Sequence, residues 1–152
     1  MTPGPESSYM ARALAEAEAA AQRGEVPIGA VVAGPDGAVL ATAGNRTREL
    51  SDPTAHAELL AIRAACATLG SERLSGCDVY VTLEPCAMCA AAISFARIRR
   101  LYYGAPDPKG GGVEHGARVF NQSTCHHCPE LYAGLDEARA SALLKRFFEA
   151  RR

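Results

Sequence analysis

A chain of 152 residues, 48% hydrophobic and carrying a net charge of −1, fits one globular domain that buries most of its unfolded surface. The near-neutral charge argues against broad affinity for polyanions, so any nucleic-acid contact has to be a local patch. No apolar run reaches the roughly 18 residues of a membrane-spanning helix. The opening Met1-Thr2-Pro3-Gly4-Pro5-Glu6 lacks the basic and apolar regions of a signal peptide, so the six cysteines read as reduced thiols of a cytoplasmic protein.

In chain order, residues 1–7 read as a frayed end and residues 8–152 as a single domain. Ser8 to Arg23 has Met10, Ala13, Leu14, Ala17 and Ala21 at helical spacing, and Gly24 stops it. Pro27 to Ala33 reads as a strand, Gly34-Pro35-Asp36-Gly37 as a turn, and Ala38 to Ala43 as the return strand of a hairpin. A polar loop from Asn45 leads to a second helix, Thr54 to Leu69, with Leu59, Ile62, Cys66 and Leu69 on one stripe and Gly70 as its stop. Cys77 to Leu83 is a strand, Cys86 to Ala96 an apolar helix and Arg100 to Gly104 a strand. That order implies a parallel pair with a right-handed crossover. Residues 105–118, rich in glycine and proline, form a long loop. Leu135 to Arg151 is a last helix with Ala140, Leu143, Leu144, Phe147 and Phe148 turned inward. The sum is an α/β fold: a mixed sheet, antiparallel at its start and parallel later, with helices on both faces.

Two short stretches carry the chemistry. In Pro85-Cys86-Ala87-Met88-Cys89 the thiols stand at i and i+3 and share a helix face. Pro85 suits the first helical turn, and a helix N-terminus favours thiolate. His56 and Glu58 stand at i and i+2, about 200° apart around a helix. Both reach one metal only if they lie in a first turn. Asp52 as N-cap and Pro53 as first helical residue would supply that start. The ligands are then His56, Cys86 and Cys89, an S₂N zinc site with its fourth position open. A structural zinc would want a fourth protein ligand, and none is evident. Glu58 is left as an acid/base.

This H-x-E…P-C-x-x-C arrangement resembles that of the zinc nucleobase deaminases. Glu25-Val26-Pro27-Ile28-Gly29-Ala30, Asn45-Arg46, Asp52 to Glu58, Tyr80 to Cys86 and Phe147-Phe148 resemble the bacterial tRNA adenosine deaminase family, within the zinc-dependent cytidine and deoxycytidylate deaminases. The resemblance runs from about Tyr9 to the C-terminus and is weakest between Gly112 and Leu131. It implies a cytidine-deaminase-like α/β/α sandwich with a mixed central sheet, one Zn²⁺ per chain, and a homodimer. The reaction it implies is hydrolytic deamination of adenosine to inosine at the wobble position of a tRNA anticodon stem-loop. It also implies that Glu58 moves the protons, that Asn45 and Ala30 belong to the substrate pocket, and that Asp107 faces the ribose. Pro106 and Pro108 depart from the family pattern and stiffen the loop carrying Asp107.

Alternatives stay open at this stage. A small-molecule deaminase of the guanine or cytidine type would share the whole metal site. A non-catalytic zinc-bearing RNA-binding protein would have no use for Glu58. Cys125-His126-His127-Cys128 has ligand types for a second metal, but no further pair nearby completes a shell, and a substrate-side loop is the plainer reading. Gly110-Gly111-Gly112 lacks the context of a phosphate loop. Cys66 and Cys77 read as small core hydrophobes, and Ile93, Phe95 and Ile98 as core of the third helix. Arg97, Arg99, Arg100, Lys109, Arg118, Lys145, Arg146, Arg151 and Arg152 leave the second part of the chain locally basic, compatible with an RNA backbone beside the pocket.

Overall fold

Near-continuous apolar runs in the central strands call for a sheet covered on both sides, and a computed structural model, which describes residues 5–151, has that form. The elements are α1 (Pro5–Gln22), β1 (Gly29–Ala33), β2 (Val39–Gly44), α2 (Ala57–Leu69), β3 (Asp78–Leu83), α3 (Ala87–Phe95), β4 (Arg100–Ala105), β5 (Glu130–Ala133) and α4 (Glu137–Glu149), with a short 3₁₀ turn at Val119–Asn121. The five strands lie in the order β2-β1-β3-β4-β5. β1 is antiparallel to both β2 and β3, while β3–β4 and β4–β5 are parallel. This is the mixed sheet and three-layer sandwich expected.

Successive side chains in β1, β3 and β4 enter opposite cores, as the pleat requires. Ala30, Val32, Val79, Val81, Leu101 and Tyr103 join Ala61, Ile62 and Ala65 of α2 and Ala90 and Ile93 of α3. Val31, Ala33, Tyr80, Tyr102 and Ala105 join Met10, Ala13 and Leu14 of α1 and Ala140 of α4. On that second face Tyr9, Tyr80, Tyr102 and Tyr132 form a ladder with ring centroids 4.9, 4.4 and 4.7 Å apart. α1 lies so close to β1 that a Cβ on Gly29 would sit 1.9 Å from the Ala13 carbonyl oxygen.

Several boundaries differ from the sequence reading, each for a local reason. α1 starts at Pro5 rather than Ser8, while residues 1–4 of the supposed frayed end, and Arg152, lie outside the described residues. In α1 Ala20 is buried and Ala21 only partly so. The inward face of α2 is Ala57, Glu58, Ala61, Ile62 and Ala65, and Leu69 is exposed. Small residues let this helix approach the sheet closely, which displaces the stripe from the leucines. Phe95 ends α3 exposed at 77%, although Ile93 and Ile98 are buried. In α4 Phe147 is buried and Phe148 exposed, because adjacent helical residues point about 100° apart. β5 is unanticipated: all four of its residues are exposed, so no burial pattern marks it in the sequence.

Candidate active site

The site forms where α2 and α3 begin, beyond the C-terminal end of β3. Neither helix starts where the sequence predicts. Asp52 is not the cap of α2: its Oδ1 accepts from the Thr54 N–H at 2.9 Å and the Thr54 hydroxyl at 2.7 Å, closing a separate turn. His56 holds the N-cap position, with extended backbone. Cys86 likewise is the N-cap of α3, which leaves Pro85 just before the cap rather than in the first turn. The extended backbone at each N-cap lets the side chain point off the helix end, and the two ends converge.

His56 Nδ1 lies 3.6 Å from Cys86 Sγ and 3.5 Å from Cys89 Sγ. Zn–S of about 2.3 Å and Zn–N of about 2.0 Å at a tetrahedral angle require an S···N separation of about 3.5 Å. The donor set therefore fits zinc in its distances as well as its chemistry. Among the described residues this trio is the one group of His, Cys, Asp and Glu close enough to hold a metal ion, its donor atoms all within 4.8 Å of one another.

The electrostatics are those of donors crowded for a cation. A hydrogen bond from the Cys89 thiol, opposed by burial and aided by His56, draws the Cys86 thiol down to about 4. The same contact, with burial, pushes Cys89 up. The Cys86 hydrogen bond raises His56 against the effect of its own burial. Glu58, in the first turn of α2 and 4% exposed, lies outside the ligand trio. Burial, reinforced by the Cys86 thiolate, raises its carboxyl to about 7.

Around this centre, Asn45 is 5% exposed. Its Oδ1 accepts from the Ala57 N–H at 2.8 Å, so the loop asparagine satisfies the first orphan amide of α2. Its Nδ2 makes no hydrogen bond among the described residues. Ala30 is buried in β1, its side chain part of the core. Asp107 is half-buried, and its Oδ1 accepts from the N–H groups of Lys109 and Gly110 at 3.2 and 3.0 Å.

Two carboxylates escaped the sequence reading. Glu25 accepts from the Arg48 and Glu49 N–H groups at 3.1 and 2.8 Å. Burial pushes its carboxyl up, but those amides, the Thr47 hydroxyl and nearby Arg23 outweigh it and hold the group below the usual carboxylate range. Glu84 gathers five donors from the loop after β4. Burial opposes its ionisation, yet the Asp107 N–H, the His115 side chain and further amides keep it low. Glu25 and Glu84 each adjoin apolar stretches at an element end, the one signal that could have marked them.

Cys125-His126-His127-Cys128 forms no second metal group among the described residues. Cys125 Sγ lies 3.4 Å from Ser94 Oγ, which donates to the His127 carbonyl at 2.7 Å, while His127 Nε2 meets the Ile98 carbonyl at 2.6 Å. These contacts staple the loop to the end of α3. The late arginines do not form one patch. Arg99 pairs with Asp78 and Arg100 with Glu130, both at 2.9 Å, at the N-terminal ends of β3 and β4. Cys86 and Asp107 follow the opposite ends.

A mixed sheet with two helix N-termini presenting one histidine and two thiols defines a zinc-dependent deaminase of the α/β/α type. Residues 4–105 match the family described as the cytidine and deoxycytidylate deaminase zinc-binding region, and the chain belongs to that family. It is 63% identical over 144 residues, 95% of this chain and 94% of the relative, to the tRNA-specific adenosine deaminase of Agrobacterium fabrum. A solved structure from work on A-to-I editing by tRNA:A34 deaminases at the wobble position of transfer RNA superposes with a TM-score of 0.88 at 64% identity, covering 90% of this chain and 99% of that one. Guanine deaminase from Bacillus subtilis is more distant, with a TM-score of 0.65 at 32% identity over 95% of this chain and 92% of that one.

Proposed function

We propose that this protein catalyses hydrolytic deamination of adenosine to inosine at the wobble position of a tRNA anticodon loop. The observation that carries the chemistry is the convergence of His56, Cys86 and Cys89 at zinc-ligand separations, with the buried Glu58 beside them and outside the ligand set. The choice of substrate is supported by 63% identity to a tRNA-specific adenosine deaminase against 32% to a guanine deaminase.

When bound by His56 Nδ1 and the two thiolates, zinc supplies the Lewis acidity that brings the pKa of water toward neutrality. Glu58 takes a proton from the attacking water and delivers it to the ring nitrogen beside C6. It then takes the second proton, from the hydroxyl now on C6, and passes it to the amino group, which leaves as ammonia as the C6 carbonyl forms. Asn45 has its oxygen committed to α2, and so offers only its amide N–H groups, which suit acceptor atoms of the nucleoside. Asp107 presents its second carboxylate oxygen to the ribose. Lys109 and Arg118, on the loop after β4, serve as cations for phosphate.

The protein acts as a single domain and as a homodimer joined through the end of α3. There the exposed Phe95 borders an apolar groove with Ala91, Val119 and Cys125. The cytoplasm is the compartment where six free cysteines and tRNA coexist. No helix among the described residues is long and apolar enough to cross a membrane.

The test is incubation with a minimal anticodon stem-loop beside free adenosine, guanine and cytidine, digestion to nucleosides and assay for inosine. Inosine in the stem-loop is expected. Its absence, with ready deamination of free guanine or cytidine, would replace this reading with a small-molecule deaminase. Zinc without any ammonia release would replace it with a binding protein.

A further inference from the structure

Glu84 joins β3 to the Pro85-Cys86 turn and is 2% exposed. A buried carboxylate is costly unless its charge is met by hydrogen bonds or a counter-ion. Among the described residues neither lysine nor arginine pairs with it. The charge is met by the loop after β4 instead. Oε1 accepts from the Asp107 N–H at 3.0 Å and His115 Nδ1 at 2.8 Å. Oε2 accepts from the N–H groups of Val113, Glu114 and His115 at 3.1, 3.0 and 3.1 Å.

These donors come from two separated segments, residue 107 and residues 113–115. One carboxylate thus closes the loop between them. The intervening chain passes so close that a Cβ on Gly111 would lie 2.3 Å from Glu84 Oε2. The Gly112 N–H donates to the Pro85 carbonyl at 2.8 Å, fastening the same loop to the turn before α3. Asp107 is held twice: its backbone N–H by Glu84, its Oδ1 by its own turn.

We propose that Glu84 is a positioning residue for deamination: its carboxylate, outside the ligand trio, fixes the loop so that Asp107 meets the sugar of the bound nucleotide. This rests on the reading of Asp107 as the ribose contact. The same carboxylate explains why a glycine-rich loop can serve a recognition site. Five fixed hydrogen bonds supply the order that the glycines do not.

Glu84→Gln keeps the volume but sets an amide donor against backbone donors. In metal-replete protein, KM for the anticodon stem-loop should rise about tenfold or more, the scale of a lost charge-assisted hydrogen bond, with kcat much less affected. The Asp107, Val113, Glu114 and His115 amides should exchange with solvent faster, while those of α1 and β1 keep their protection. In an Asp107→Ala background, Glu84→Gln should add little further to KM, because the two act in one chain of contacts. A lower Tm with unchanged KM and unchanged loop exchange would overturn the proposal, as would KM effects that multiply independently. If Glu84→Gln does not fold, Gly111→Ala, which drives a Cβ toward the carboxylate, decides by the same measurements. The exchange arm uses no RNA. A wild-type protein inactive on the stem-loop would therefore sink the substrate assignment, while unchanged exchange would sink the positioning role.

Discussion

The two faces of the sheet use the same strands for different ends. The α1/α4 face is held by burial: Met10, Leu14, Tyr80 and Tyr102 pack there, and α1 lies directly on β1 at Gly29. The α2/α3 face carries an apolar core too, with Val32, Val79, Val81, Ile93 and Leu101, but adds polar groups at the helix starts, with His56, Cys86, Cys89, Glu58 and Asn45 gathered at one end. Both faces are stabilised by apolar area, roughly 25 cal/mol per Å². The second holds desolvated titratable groups, which do not add stability in proportion. Burial thus serves both faces and chemistry only one, and substitutions can test that.

The largest effect should come from Glu58→Ala. Turnover should fall about 10²–10⁴-fold, the usual contribution of a positioned acid/base, with zinc content by elemental analysis and thermal stability close to wild type. Cys86→Ser, by contrast, should lose the metal itself. Near-normal activity in a zinc-replete Glu58→Ala protein would break the assignment of chemistry to this face. On the other face Leu14, 2% exposed, should cost about 2–5 kcal/mol of stability when replaced by alanine. The folded fraction of that variant should keep its zinc and its kcat. A loss of zinc in Leu14→Ala would show that the faces are coupled.

Glu25 sharpens the comparison through pH. Its native pKa lies below its unfolded value, so its contribution is present above the unfolded carboxylate range and is lost as pH falls through the lower native value. Glu25→Gln should lower stability at neutral pH and flatten the acid side of the stability profile in denaturant titrations. An unaltered acid limb would mean that the loop it holds is fixed by other contacts. The smallest effect is expected from the double substitution Cys125→Ser with Cys128→Ser. It should leave zinc stoichiometry at its wild-type value, since neither thiol joins the metal group. Loss of one metal per chain would reveal a second site.

The sequence alone determined the fold class, because short apolar runs in the strands and turn residues at Gly34–Gly37 and Gly70 are local signals. It also determined the metal chemistry, since His56, Cys86 and Cys89 are ligand types at telling spacing. The tertiary structure decided the rest. It made His56 and Cys86 the N-cap residues, a role that depends on which amides find partners elsewhere; Asn45, twelve positions away, takes the one at Ala57. It placed β5, whose exposed residues leave no periodic trace and which forms only by pairing with β4. It chose Phe147 over Phe148 for burial and left Phe95 exposed, as packing geometry rather than hydrophobicity dictates. It also brought Glu84 to residues 107 and 113–115. Hydrogen bonds between residues remote in sequence have no period and no fixed spacing, and only the folded chain sets them.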